Sequence, residues 1–286
     1  MKSDPTTPIT ERSGYVAGVP VHWREASPEA GRAPVLYLHG VPTHSADWVP
    51  FLERTGGVAP DLPGFGASGK PAEFDYSIPG YERFLAAFVD HLGLERFSLV
   101  VHDWGGVGLA LAQEMPERVE RLVVMNCVPL LPGYSWHRLA RIWRRRGLGE
   151  LAMGATTRRV LSALTREATT RPGPMPEEFL AYVWEAFDQG TQRAILRLYR
   201  SAPSEVLAEA GRRLGDVRCP ALVLWGEEDP YIDTAFADAY ARALGGPARL
   251  DLVAGASHWP WIDRPEVLDT VAGFLSGGGS RSAATR

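Results

Sequence analysis

Three polar residues in this 286-residue chain each stand just past a different apolar, strand-like run. Asp103 follows Phe97 to Val101, Asp229 follows Pro220 to Trp225, and His258 follows Arg249 to Val253. A carboxylate is ionised at neutral pH and can attack an electrophilic carbon with no base to assist it, leaving an alkyl ester on the protein. Breaking that ester requires water activated by a base of near-neutral pKa. His258 supplies the base, and Asp229 would orient its imidazole and stabilise the charged form. Each residue also has a plainer reading. Asp103 could cap a helix, Asp229 could belong to a turn with Pro230, and His258 could satisfy a loop carbonyl. The order nucleophile, acid, histidine with these flanks favours the joint reading.

The elements needed to position them are legible. Phe97 to Val101 is rich in β-formers and Val107 to Met115 in helix formers, so His102 to Gly106 must turn a buried strand directly into a helix. Gly105 and Gly106 allow close helix–strand packing, and Asp103 occupies the apex. A second strand, Pro34 to His39, ends in His39-Gly40-Val41-Pro42. There Gly40 and Pro42 can aim the amide of Val41 at the same spot as the amide of Trp104, a pair of donors for a developing oxyanion. His39, at a strand end, reads as structural.

Opening strands are expected within Tyr15 to Arg24, turning at Gly18-Val19-Pro20, and further strands at Gly57 to Asp61 and Arg121 to Asn126. Leu62 to Gly69 is a loop, Pro79 to Leu92 an amphipathic helix and Pro265 to Leu275 a closing helix. Strands alternating with helices predict an α/β fold with a mainly parallel sheet covered on both faces, whose carboxyl ends share one ligand-binding edge. From Pro129 to Gly215 no strand-like run occurs. The expected organisation is a core from 1–128 and 216–286, with 277–286 a disordered tail, and a helical cap from 129–215.

Composition narrows the functional classes. An apolar fraction of 45% with 22% charged residues is ordinary for a globular chain, and a net charge of −4 gives no general attraction to nucleic acid or to an anionic membrane. The amino terminus has no apolar stretch and no segment approaches the roughly 20 apolar residues of a membrane span, so a cytoplasmic location is expected. Cys127 and Cys219 border apolar runs and read as free thiols. The chemistry requires no cofactor and no metal. Either a monomer or a homodimer is compatible with the sequence.

Through His39-Gly40-Val41-Pro42, Asp61-Leu62-Pro63-Gly64-Phe65-Gly66, the Asp103 elbow, Asp229 and His258, the chain resembles the α/β-hydrolase superfamily over nearly its whole length. The resemblance implies an eight-stranded sheet with an inserted helical cap. His102-Asp103-Trp104-Gly105-Gly106 looks like the aspartate-nucleophile branch, which holds epoxide hydrolases and haloalkane dehalogenases.

The two classes differ in how the leaving group is stabilised. The dehalogenases pair the tryptophan after the nucleophile with an asparagine after His-Gly, or with a second tryptophan. Here Trp104 fits, Val41 replaces the asparagine, and Trp136 or Trp143 could contribute an indole N–H, although their spacing suits cap core. The epoxide hydrolases carry His-Gly-x-Pro with an apolar x and use cap tyrosines. Leu198-Tyr199-Arg200, thirty residues before Asp229, resembles the second of these tyrosines. For the first, the chain offers Tyr134 and His137, three residues apart and able to share a helical face. The expected activity is therefore epoxide opening to a vicinal diol, with an apolar epoxide and water as reactants. Haloalkane hydrolysis is the alternative, and a silent small-molecule binding protein ranks below both. Arg138, Arg141, Arg144, Arg145 and Arg146 read as a solvated helix face, with attraction of anionic substrates the minority reading. Fluoroacetate dehalogenases, which bind carboxylate with arginine after the nucleophile, rank lower because Trp104 and Gly105 stand there.

Overall fold

A computed structural model describes residues 8–277, so the amino-terminal seven residues and the tail expected to be disordered lie outside the described residues except for Gly277. The strands are β1 (Thr10–Val16), β2 (Val19–Ala26), β3 (Val35–Leu38), β4 (Gly57–Pro60), β5 (Phe97–Asp103), β6 (Val119–Cys127), β7 (Ala221–Gly226) and β8 (Ala248–Val253). They form one sheet in the order β1-β2-β4-β3-β5-β6-β7-β8, antiparallel at β1, β2 and β4 and parallel from β4 onward.

Both faces of the central strands are buried, which is why their sequences are continuously apolar. On β5, Leu99 and Val101 enter one core cluster and Val100 the other, as a two-residue period requires. The first face packs against α2 (Ile78–His91) and α3 (Gly108–Glu114), and the second against α1 (Val49–Thr55) and α12 (Glu266–Leu275), with α10 (Ala235–Ala243) on the first face and the short α11 (Pro260–Asp263) just past β8. In α2 the expected amphipathic register holds, with Tyr81, Phe84, Leu85 and Phe88 buried and the Ser77 hydroxyl capping the Gly80 amide at 3.2 Å.

The opening hairpin differs from expectation. Its turn is Ala17-Gly18, both with positive φ (51° and 80°), and Pro20 lies inside β2 opposite Tyr15. Two-residue hairpin loops take positive φ at one or both central residues, here at both, a conformation Gly18 adopts freely and Pro20 cannot. Helices α1 and α10 were also not anticipated, being short and without a long apolar stripe.

Between β6 and β7 come α4 (Arg138–Trp143), α5 (Leu148–Gly154), α6 (Arg158–Leu164), α7 (Glu177–Ala186), α8 (Gln189–Ser201) and α9 (Ser204–Ala210), with no strand among them. Cys127 and Cys219 are free thiols, as read from the sequence. No helix among the described residues is long and apolar enough to cross a membrane.

Candidate active site

The strand-to-helix turn after β5 places Asp103 at φ 49° and ψ −121°, a conformation a non-glycine residue adopts only where the surroundings impose it. Those surroundings are glycines. A Cβ on Gly40 would lie 2.3 Å from the Asp103 Cβ, and one on Gly105 would lie 2.0 Å from the Leu38 carbonyl oxygen. The Asp103 carboxylate makes no capping bond to the following helical turn, Trp104–Val107, so the N-cap reading does not hold. It turns instead toward the loop after β3, where the Val41 amide donates to Oδ1 at 2.8 Å. The Trp104 amide, expected as a partner donor, makes no hydrogen bond to the Asp103 side chain.

His258 and Asp229 converge on the same place. His258 Nδ1 lies 2.8 Å from Asp229 Oδ2, and its Nε2 lies 3.6 Å from Asp103 Oδ2, with all three side chains almost wholly shielded from solvent. Burial pulls the His258 pKa down, but the charges of Asp229 and Asp103 and hydrogen bonding to both raise it further, and the net shift is upward. Burial also raises Asp103, yet the facing imidazolium and the Val41 amide hold it below its ordinary value. The resting arrangement is therefore an imidazolium between two carboxylates.

His102 and His39 sit beside this triad in another state. His102 Nε2 contacts the His258 carbonyl oxygen at 2.8 Å, and His39 Nδ1 contacts the Gly40 carbonyl oxygen at 2.8 Å while its Nε2 accepts from the Leu62 amide at 2.9 Å. Burial lowers both pKa values, to about 3 and about 4, so both are neutral ties between strand ends. His39 thus has the structural role read from the sequence.

Above the triad lies a cavity of about 60 Å³, lined below by Asp103, Val41 and His258 and above by Tyr134, His137, Trp143 and Tyr199. The Tyr134 hydroxyl is buried without a hydrogen-bond partner. Burial, reinforced by the Asp103 charge, pushes the pKa of both tyrosines up, so each stays a phenol and a donor. His137 Nδ1 accepts from the Ala140 amide at the start of α4 at 3.5 Å, which leaves Nε2 to carry the proton. Burial lowers its pKa to about 4, so it too is a neutral donor.

The tryptophans divide differently. Trp136 donates to the Ala202 carbonyl at 2.9 Å and stacks on Trp104 at 5.4 Å, so its N–H is not free to face a leaving group. Trp104 Nε1 is buried with no partner. Trp143 lines the cavity and packs edge-on to Tyr199 at 5.0 Å. Among the arginines of this segment, Arg138, Arg141, Arg145 and Arg146 are exposed, while Arg144 donates to the Tyr199 and Ala202 carbonyls and lies over the Trp136 ring. That exception ties α4 to α8.

Sequence reasoning missed Asn126 and Asp263. Asn126, at φ 37° near the end of β6, donates from Nδ2 to Asp229 Oδ2 at 2.7 Å and accepts the Gly226 amide on Oδ1 at 3.0 Å. With the Tyr231 amide on Asp229 Oδ1 at 2.8 Å, it fixes the acid in place. An asparagine at a strand end, where positive φ is tolerated, was the available signal. Asp263 accepts the Ser257 amide at 2.8 Å and the Thr170 amide at 3.2 Å, joining the His258 loop to the segment after α6. Nothing in its sequence context marked it.

Residues 35–270 match the model of a family described as the alpha/beta hydrolase family. The chain is 30% identical to a haloalkane dehalogenase of Mycolicibacterium paratuberculosis over 88% of its own length and 86% of that protein's. It is 26% identical to epoxide hydrolase 3 of Xenopus tropicalis over 90% and 76% of the two chains. A crystal structure of a haloalkane dehalogenase from Bradyrhizobium elkani superposes with a TM-score of 0.81 at 26% identity, covering 94% of this chain and 98% of that one. The protein is a hydrolase of the haloalkane dehalogenase and epoxide hydrolase type, and the chain belongs to the alpha/beta hydrolase family.

Proposed function

We propose that the protein is an epoxide hydrolase. The observation that carries this reading is the distribution of donors over Asp103. Tyr199 and Tyr134 border the cavity as phenols, whereas the Trp136 N–H is taken by a carbonyl and Val41 has no side-chain donor, so neither of those two positions can join Trp104 in holding halide.

In the first step Asp103 attacks a ring carbon, the C–O bond breaks, and the ring oxygen takes a proton from Tyr199, with Tyr134 or His137 as second donor. The proton that restores the phenol comes from His258. Esterification removes the Asp103 charge that helped to hold His258 protonated, so alkylation itself converts the imidazolium into a base. Neutral His258 then takes a proton from water, and the hydroxide adds to the ester carbonyl carbon. The oxyanion forms against the Val41 amide, joined by the amide of Trp104 as the carbon becomes tetrahedral. Collapse expels the diol oxygen, which takes its proton from His258. The carboxylic acid left on Asp103 returns its proton to His258, and the resting state is restored.

The dehalogenase reading is supported by the unpartnered Trp104 Nε1 beside the elbow and by the 30% identity to a haloalkane dehalogenase. Propylene oxide and dibromoethane assayed in parallel, with diol and halide as readouts, separate the two. The epoxide reading expects diol formation that falls by roughly 10²–10³ in Tyr199→Phe, since the lost donor acts as charge builds on the ring oxygen. Rapid halide release that is unaffected by Tyr199→Phe and abolished by Trp104→Phe contradicts it.

A further inference from the structure

The sheet ends at β8, whose backbone leaves one row of polar groups facing outward. The Pro247 carbonyl accepts the Ala221 amide at 2.9 Å and the Val253 carbonyl accepts the Glu227 amide at 3.2 Å, so the odd-numbered positions turn toward β7. Direction alternates along a strand, so the amides and carbonyls of Ala248, Leu250 and Leu252 point away from the sheet. Among the described residues no backbone hydrogen bond outside the sheet reaches them. Such a row is a template for a further strand unless it is covered or blunted. Between Ala248 and Val253 the sequence places no lysine and no proline, and Leu252 is 46% exposed.

The side chains of this strand are complementary to themselves. Arg249 and Asp251 share one face, where the Arg249 Nε donates to Asp251 Oδ1 at 2.7 Å, and among the described residues neither is paired with a charge outside β8. At the opposite edge the charges are already matched across strands, Arg12 and Glu11 of β1 with Glu25 and Arg24 of β2 at 2.8 and 2.7 Å. When a strand meets its own copy about a two-fold axis, residue i faces j and j faces i. With the axis at Leu250, the outward-facing Leu250 meets Leu250 and Ala248 meets Leu252, each pair exchanging backbone hydrogen bonds. Arg249 then falls opposite Asp251 twice, in the closer pairs that lack backbone bonds. An axis at Arg249 or at Asp251 would set like charges face to face. Backbone direction and charge therefore select one register.

We propose that β8 pairs antiparallel with β8 of a second copy of this chain about a two-fold axis at Leu250, joining the two sheets into one. None of the residues from Ala248 to Val253 lines the cavity over Asp103, so the pairing is independent of which leaving group the site takes.

Sedimentation velocity of the full chain over a range of concentrations tests the pairing, and the wild type should show a dimer. Arg249→Asp and Asp251→Arg each set like charges opposite one another at two places and should raise the dissociation constant by about tenfold or more, whereas the two combined should restore it to near the wild-type value. The register is read from Leu250→Cys and Leu252→Cys, each oxidised in a Cys219→Ser background. Paired Leu250 Cα atoms would lie about 5.5 Å apart, within reach of a disulfide, and the two Leu252 Cα atoms more than about 13 Å apart, so only Leu250→Cys should cross-link. A wild type that is monomeric at the highest concentration reached overturns the proposal, as does a dimer that both single reversals leave intact or a combined variant as weak as the singles. Cross-linking of Leu252→Cys as fast as Leu250→Cys, or of neither, also overturns it. If the charge variants do not fold, the wild-type sedimentation and the two cysteine variants decide.

Discussion

At the strand ends, Asp103, Asp229 and His258 are each held by a 2.8 Å hydrogen bond, from the Val41 amide, from the Tyr231 amide and to Asp229 respectively. Above them, Tyr134, His137 and Tyr199 are held chiefly by packed rings, with His137 contributing a single long bond at 3.5 Å. The lower half of the site owes its geometry to directed hydrogen bonds, two of these three from backbone amides, and the upper half to side-chain shape. Hydrogen bonds to charged groups fix atoms to within tenths of an ångström and fail abruptly when a partner is removed. Ring packing is adaptable, so it suits the part of a site that adjusts to different substrates.

The sharpest way to probe the lower half is to disturb its backbone. Gly40→Ala would bring a methyl group to within 2.3 Å of the Asp103 Cβ and displace the carboxylate. A displacement of about 1 Å costs on the order of 10² in rate, so kcat/KM should fall by about that much or more while circular dichroism remains that of the wild type. Full activity in Gly40→Ala would mean that Asp103 need not sit where the glycine allows it to.

A smaller loss is expected from Asn126→Ala, which removes the 2.7 Å bond to Asp229. Hydrogen bonds to charged groups contribute about 1.5–3 kcal/mol, which corresponds to roughly 10–10² in the His258-dependent step. Single-turnover kinetics should show ester hydrolysis slowed and alkylation nearly unchanged, because Asp103 needs no base to attack. Equal slowing of both steps would assign Asn126 to general structure.

The sequence made these two halves unequally legible. The elbow, the His39-Gly40-Val41-Pro42 loop and the two strand-end residues announce themselves because strand polarity and glycine placement are local properties of the chain. Asn126 and Asp263 were harder to read, since the Gly226 and Thr170 amides they accept lie 100 and 93 positions away, respectively, and Asn126 offered only its place at a strand end. In the upper half, Tyr134, Trp136 and His137 were all visible as candidates, but which N–H or O–H faces the cavity is decided by stacking between helices. Only the fold reveals that the Trp136 N–H ends on Ala202.

The remaining effect bears on stability and not on rate, and concerns the seam between the halves. Asp47 is buried beside the loop after β3 and accepts the hydroxyl of Tyr182 from α7, while its Oδ2 has no partner. Burial raises its pKa to about 6. A carboxyl group raised in the folded state adds stability below its unfolded pKa, and that contribution is lost as pH rises through about 6. Asp47→Asn should therefore stabilise the protein by up to about 3 kcal/mol at pH 8 and by little at pH 4, as read from thermal or urea unfolding at both values. His258 contributes in the same sense over a higher window: its stabilising effect is full below about 6.5 and is lost as pH rises through about 10. Equal effects of Asp47→Asn at the two pH values would show that its buried charge does not load the seam.

The central claim is that Asp103 forms a covalent ester that only His258 releases. Incubating His258→Gln with propylene oxide and measuring intact mass, followed by peptide mapping, tests it directly. The account predicts a stable gain equal to the mass of the epoxide, located on Asp103 and lost from wild-type protein once the epoxide is consumed. An unmodified mass while diol still accumulates would contradict it.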